Sequence, residues 1–241
     1  MNKLMGSGIK LIPDDILIEY IFKYCEISDL SNLKSTNKKW YNFIKKEWLY
    51  IIWNYPFRKN SEIKNFKFLQ FLYIRSSYEE KILNITHETK YINEFSLKNN
   101  FNIEKLIFSH IQKKLNVLTI THVPNLSEIV GMENLSNLNS IYINNIKFLH
   151  LKLFKYPNLK NLILLNIDSG NTIEIVNCPK LDFINLSASS YKKIIIRDKL
   201  TNWVHLQILN IINFEIHTWK MNMKWLRIHS KIISKLNFLD D

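Results

Sequence analysis

The sequence predicts an α+β protein in two parts, a small N-terminal bundle of three helices and a longer C-terminal solenoid of stacked β-strands. Three observations predict it. Apolar residues between Ile12 and Ile52 recur at three- and four-residue spacing, the period of one helix face. From Leu115 onward a pattern of the form Leu-x-x-Leu-x-Leu returns at intervals of about 21 to 25 residues, the period of a stacked repeat. Hydrophobic residues make up 46% of the 241 positions, enough for a continuous core. The expected division is a helical domain over 9–55, a helical connector over 56–90 and the solenoid over 91–241.

Pro13 suits the first turn of a helix, where a missing N–H costs nothing. Asp14 and Asp15 follow it, and negative charge there complements the helix dipole. Ile16, Leu17, Tyr20, Ile21 and Tyr24 then form one apolar stripe. Ser28 is placed to cap a second helix, with Asp29 in its first turn and Leu30 and Leu33 on its apolar face. Trp40, Phe43, Ile44, Trp48, Ile51 and Ile52 make a third stripe. Three such short helices hold more apolar surface than they can hide from water by themselves, so the unit gains by burying it against a partner.

These residues resemble the F-box. The pattern is carried by Ile12-Pro13, Asp15, Ile16-Leu17, Tyr20-Ile21-Phe22, Asp29-Leu30, Leu33 and Lys39-Trp40. The resemblance implies docking onto a Skp-type adaptor and, through it, onto a cullin ubiquitin ligase. It implies an adaptor-binding face of Pro13, Ile16, Leu17, Tyr20, Ile21, Leu30 and Leu33, with Trp40 in the core of the bundle.

In the connector, Pro56 ends the tryptophan-rich helix and Arg58-Lys59-Asn60-Ser61 is a polar break. Phe66, Leu69, Leu72, Tyr73 and Ser76 are helically spaced and predict one or two further helices. The segment is aromatic and poor in Gly, Pro and Ser, which argues against a flexible linker.

The repeats begin at Leu115, Leu138, Leu159, Leu181 and Leu206. Ile92-x-x-Phe95-x-Leu97 reads as an earlier copy and Met223-x-x-Leu226-x-Ile228 as a later one. One coil cannot bury its own apolar edge, whereas stacked neighbours can. Second apolar runs lie between the repeat strands, at Leu149 to Phe154, Ile173 to Val176 and Lys193 to Ile196. They are β-branched and short, so extended segments are expected on the far side of the coils. The array resembles leucine-rich-repeat proteins, except that Val123, Ile146, Ile167, Ser189 and Phe214 replace the usual Asn or Cys after the strand.

Such solenoids present a broad face to proteins. The strand positions expected on it are Asn116, Val117, Thr119, Asn139, Ser140, Tyr142, Lys160, Asn161, Ile163, Asp182, Phe183, Asn185, Gln207, Ile208 and Asn210. Tyr142 and Phe183 are the candidate target-binding anchors, because aromatic side chains dominate protein interfaces.

Other classes are set aside on composition. The formal net charge is +12, but the lysines are scattered and form no basic arm, so nucleic acid is not the expected partner. Four glycines form no phosphate-cradling loop. Seven dispersed histidines and two distant cysteines, Cys25 and Cys178, make no metal-spaced or nucleophilic motif. No catalytic residue, cofactor or metal is expected, and no membrane span either, since no apolar run approaches roughly 20 residues. A reducing compartment, cytoplasm or nucleus, fits the cysteine usage. The function that emerges is a substrate-recognition adaptor of a Skp–cullin–F-box ubiquitin ligase, with the repeats binding an unspecified target protein. The alternative is a protein-binding repeat scaffold with no ubiquitin link.

Overall fold

The computed structural model describes residues 57–64, 71–86, 92–148, 151–169, 172–187, 189, 191, 193–197, 200, 203–208, 215–218, 222, 226–229 and 235–238. The boundary between the two units of the chain falls between Pro56 and Phe57. The three-helix bundle expected over 9–55 therefore lies outside the described residues.

From Phe57 on, the described elements include one short α-helix, a 3-10 turn (Met132–Asn134) and a run of parallel strands. Helix α1 (Asn60–Lys64) comes first. Then follow β1 (Phe71–Ile74), β2 (Ile82–Ile85), β3 (Glu94–Lys98), β4 (Lys105–Phe108), β5 (Val117–Thr121), β6 (Glu128–Val130), β7 (Ser140–Phe148) and β8 (Leu151–Phe154). The second half continues with β9 (Asn161–Ser169), β10 (Thr172–Val176), β11 (Phe183–Asn185), β12 (Lys193–Ile196), β13 (Val204–Gln207), β14 (Glu215–Thr218), β15 (Leu226–His229) and β16 (Lys235–Phe238).

The odd-numbered strands form one front sheet of eight, in chain order from β1 to β15. The even-numbered strands form two back sheets, β2-β4-β6 and β8-β10-β12-β14-β16. Each coil thus contributes one front strand and one back strand, and every pairing between coils is parallel.

Alternation along each strand sets this arrangement. Leu72, Phe95, Leu118, Ile141, Leu162, Ile184 and Leu206 occupy one register row of the front sheet, 21 to 23 residues apart, and all are fully buried. Ile173, Ile194 and Ile216 make the matching row of the larger back sheet. Each such side chain contributes roughly 1.5–3 kcal/mol by leaving water. Phe95 and Phe108 meet edge to face at 5.7 Å and join the front and back layers.

The expectation of extended far-side segments holds: they are β8, β10 and β12. Three other expectations are corrected. Among the described residues of 56–90 the only α-helix is α1, and β1 and β2 already pair with β3 and β4. The solenoid therefore starts at residue 71, not 91. Leu72 and Ile74 are buried and Phe71 and Tyr73 half-exposed, a period of two that helical spacing mimics over so few residues.

The last repeats are also out of phase with the pattern. Leu206 pairs with Ile184, so it is the middle residue of its motif rather than the first, and Ile208 is buried instead of facing solvent. Leu226 pairs with Val204 and Ile228 with Leu206, two residues off the expected phase.

One residue before the place expected for the asparagine, several coils turn through a residue with a left-handed backbone. Asn99 and His122 take left-handed φ angles of 51° and 55° just after β3 and β5, and Asn145 and Asn166 take 56° and 49° within the longer strands β7 and β9. Asparagine tolerates this conformation better than most residues. The corner N–H groups cross to the next coil: Asn99 donates to the Thr121 carbonyl at 3.0 Å and His122 to that of Asn144 at 3.0 Å. Val123, Ile146 and Ile167 are buried just behind the corner. At Ser189 the hydroxyl accepts the Ile167 N–H at 3.1 Å and donates to the Leu164 carbonyl at 3.1 Å. Phe214 lies outside the described residues.

Candidate functional site: the front sheet and the N-terminal segment

The seven residues expected to bind an adaptor, Pro13, Ile16, Leu17, Tyr20, Ile21, Leu30 and Leu33, lie outside the described residues. The front sheet is described, and alternation decides which side chains it shows. Val117, Thr119, Ser140, Tyr142, Asn161, Ile163, Phe183, Asn185 and Gln207 are all partly exposed. Asn116, Asn139, Lys160 and Asp182, on the turns that lead into the strands, are exposed. Asn210 lies outside the described residues.

Tyr142 sits between Thr119 and Ile163, and Phe183 between Asn161 and His205. Both are on the front sheet, with β9 between their strands, but they occupy different register rows. The structure places them on one sheet without bringing them into contact register. Asn144 donates to the Tyr142 hydroxyl at 3.4 Å.

At the N-terminal end of the same sheet the Tyr73 hydroxyl donates to Glu94 Oε1 at 3.0 Å. Burial pushes the Tyr73 phenol up to about 12, and the hydrogen bond to Glu94 and its charge push the same way. Tyr73 therefore stays a neutral donor at any physiological pH.

Toward the C-terminal end the sheet carries a pair that the repeat pattern did not single out. Trp203 is 44% exposed. The Arg227 guanidinium carbon lies 4.4 Å from its ring centroid. The available signal was a tryptophan ahead of a repeat strand, and the mistaken phase of that repeat hid it.

The back sheets are held by ion pairs between coils. Lys81 meets Glu104 at 2.7 Å and Lys105 meets Glu128 at 2.8 Å. Glu174 takes Arg197 at 2.7 Å and Lys152 at 3.3 Å. Burial pushes the Glu174 carboxyl up, but the hydrogen bonds and charges of Arg197 and Lys152 outweigh it and hold the group below its ordinary value.

Among the described residues, no group of three His, Cys, Asp or Glu could hold a metal ion. Cys178 is buried, and its thiol donates to the Val176 carbonyl at 3.7 Å. His122 is an exposed corner residue, and His150 lies outside the described residues. Among the described residues no helix is long and apolar enough to cross a membrane.

Comparison with protein-family models matches residues 9–52 to the F-box domain. No curated protein and no solved structure matches the chain. F-box domains generally bind Skp-type adaptors, and F-box proteins are typically non-enzymatic adaptors. The chain carries an F-box domain at residues 9–52, followed by a solenoid of stacked parallel strands.

Proposed function

We propose that this protein is a substrate-recognition adaptor of a Skp–cullin–F-box ubiquitin ligase. The observation that carries the reading is the F-box match over residues 9–52, directly ahead of a solenoid whose front sheet is broad and partly polar. An F-box supplies a dock, and a solenoid face supplies a surface for a protein target. The residues proposed to meet the adaptor are Pro13, Ile16, Leu17, Tyr20, Ile21, Leu30 and Leu33, and those proposed to meet the target include Tyr142 and Phe183. The repeats are proposed to be irregular leucine-rich repeats. The proposed site of action is the cytoplasm or nucleus. No catalytic step is assigned to the chain, since in such a ligase the chemistry belongs to other components.

The test is co-purification of the full chain with a Skp-type adaptor and a cullin. Wild type is expected to capture both. A Pro13→Ala/Leu17→Asp double variant is expected to lose capture by about tenfold or more, because a charge placed in an apolar contact is left unpaired. Equal capture by both, or capture by neither, would sink the adaptor reading and leave a repeat scaffold with no ubiquitin link.

A further inference from the structure

Residues 203–208 alternate strictly. Trp203 is exposed, Val204 buried, His205 half-buried, Leu206 buried, Gln207 half-buried and Ile208 buried. His205 pairs with Phe183, so Trp203 falls at the position that Leu181 holds in the preceding coil. Leu115, Leu138, Leu159 and Leu181 are buried to within 1% at the equivalent place. In the Trp203 coil Val204 takes the inward place, and the tryptophan is released to the front face.

Arg227 pairs with His205 across β13 and β15, and Trp203 is its diagonal neighbour. Lys81, Lys105, Lys152 and Arg197 each meet a glutamate of an adjacent coil. Arg227 meets an indole instead, and no carboxylate among the described residues lies within ion-pair distance of it. A guanidinium over a ring can still offer N–H groups to a planar, two-pronged carboxylate, and Arg227 lies 4.4 Å from the Trp203 ring centroid. The ring also shields one side from water, which strengthens that bond.

We propose that this end of the front sheet, Trp203 and Arg227 with Phe183 in the same register row as Arg227, receives an acidic segment of the target protein. The inference rests on the adaptor reading for the existence of a target. Charge favours an acidic partner: Lys160 and Lys180 stand exposed on the preceding turns against Asp182, and the whole chain carries +12. Spacing adds a pattern. Phe183 and Arg227 lie two strands apart, about 10 Å, which an extended chain covers in about three residues. The expected segment therefore has an apolar side chain against Phe183 and an Asp or Glu about three residues away against Arg227.

Three fluorescently labelled peptides test this with the full chain. Each has a leucine in a Gly-Ser background, with Glu, Gln or Lys three residues after it. Binding is read by anisotropy at increasing salt. The Glu peptide is expected to bind at least about fivefold tighter than the other two, with a preference that fades as salt rises. Arg227→Ala should abolish the preference, Arg227→Lys should keep part of it, and Trp203→Phe should keep more than Trp203→Ala. Circular dichroism checks that each variant retains its sheet content, and Trp203→Phe serves if Trp203→Ala does not fold. Equal binding of the three peptides, no measurable binding of any, or a preference that survives Arg227→Ala would overturn the proposal. So would a labelled oligouridylate that binds through Trp203 and Arg227 while the Glu peptide does not. Adaptor capture by the same Arg227→Ala preparation reads the F-box separately. A Glu preference without adaptor capture would remove the adaptor reading and leave this surface standing; capture without a preference would do the reverse.

Discussion

Gly131 shows how one residue sets a corner. Its φ is +80°, and a Cβ there would run into the carbonyl of Phe108, at the end of β4 in the preceding coil. That carbonyl already accepts the Asn134 side chain at 2.7 Å. Gly131→Ala is expected to destabilise the protein by about 1–3 kcal/mol, from backbone strain and a displaced hydrogen bond, read as a lower denaturant midpoint. A midpoint equal to wild type would show that the corner can move at no cost. Glu174 makes a pH prediction. Its folded pKa is depressed, so its contribution is present above the unfolded carboxylate value and is lost as pH falls through the folded one. Glu174→Gln should be less stable than wild type at neutral pH and should converge with it in acid. Stability curves that stay parallel down to acid pH would contradict this. Neither residue could be assigned its role from the sequence. Gly131 reads as an ordinary loop glycine, and Glu174 finds Lys152 and Arg197 only through stacking.

At the level of elements, the period of the strands was legible and their phase was not. Leu118, Ile141, Leu162 and Ile184 fall where the repeat pattern puts them, because each has a leucine three residues before it and a leucine or isoleucine two after, which reinforce a single alignment. Beyond Leu200 the alternating stretch Val204 to Ile208 fits more than one phase, and pairing with β11 decides it. Ile208→Asp provides the check. It buries an unpaired charge in the described phase, and a loss of about 3 kcal/mol or more is expected by chemical denaturation. An effect within about 0.5 kcal/mol of zero would restore the outward assignment. The same ambiguity hid β1 and β2. Four-residue apolar runs satisfy helical and extended spacing equally, and only the open edge of β3 draws β1 into a sheet.

Across the whole molecule, the proposed division of tasks between two units predicts separable failures. Loss of adaptor capture on changing Pro13 and Leu17 should leave the front sheet intact, and Arg227→Ala should leave capture intact. A solenoid suits this division, since each coil touches only its neighbours and a change in one part spreads little. The stacked coil was readable from a leucine period, and the F-box segment from the family resemblance carried by Ile12-Pro13, Asp15, Asp29-Leu30 and Lys39-Trp40. Tyr142 and Phe183, the proposed target anchors, were legible as outward positions, though their separation was not. Taken alone, the sequence determined the two-part plan, the F-box segment and the fact that coils stack. Only the tertiary structure decided where the solenoid begins, which way Ile208 and Trp203 point and which cation meets the indole. Those outcomes depend on register between residues some 22 positions apart, and register is settled by the neighbouring coil rather than by any local pattern.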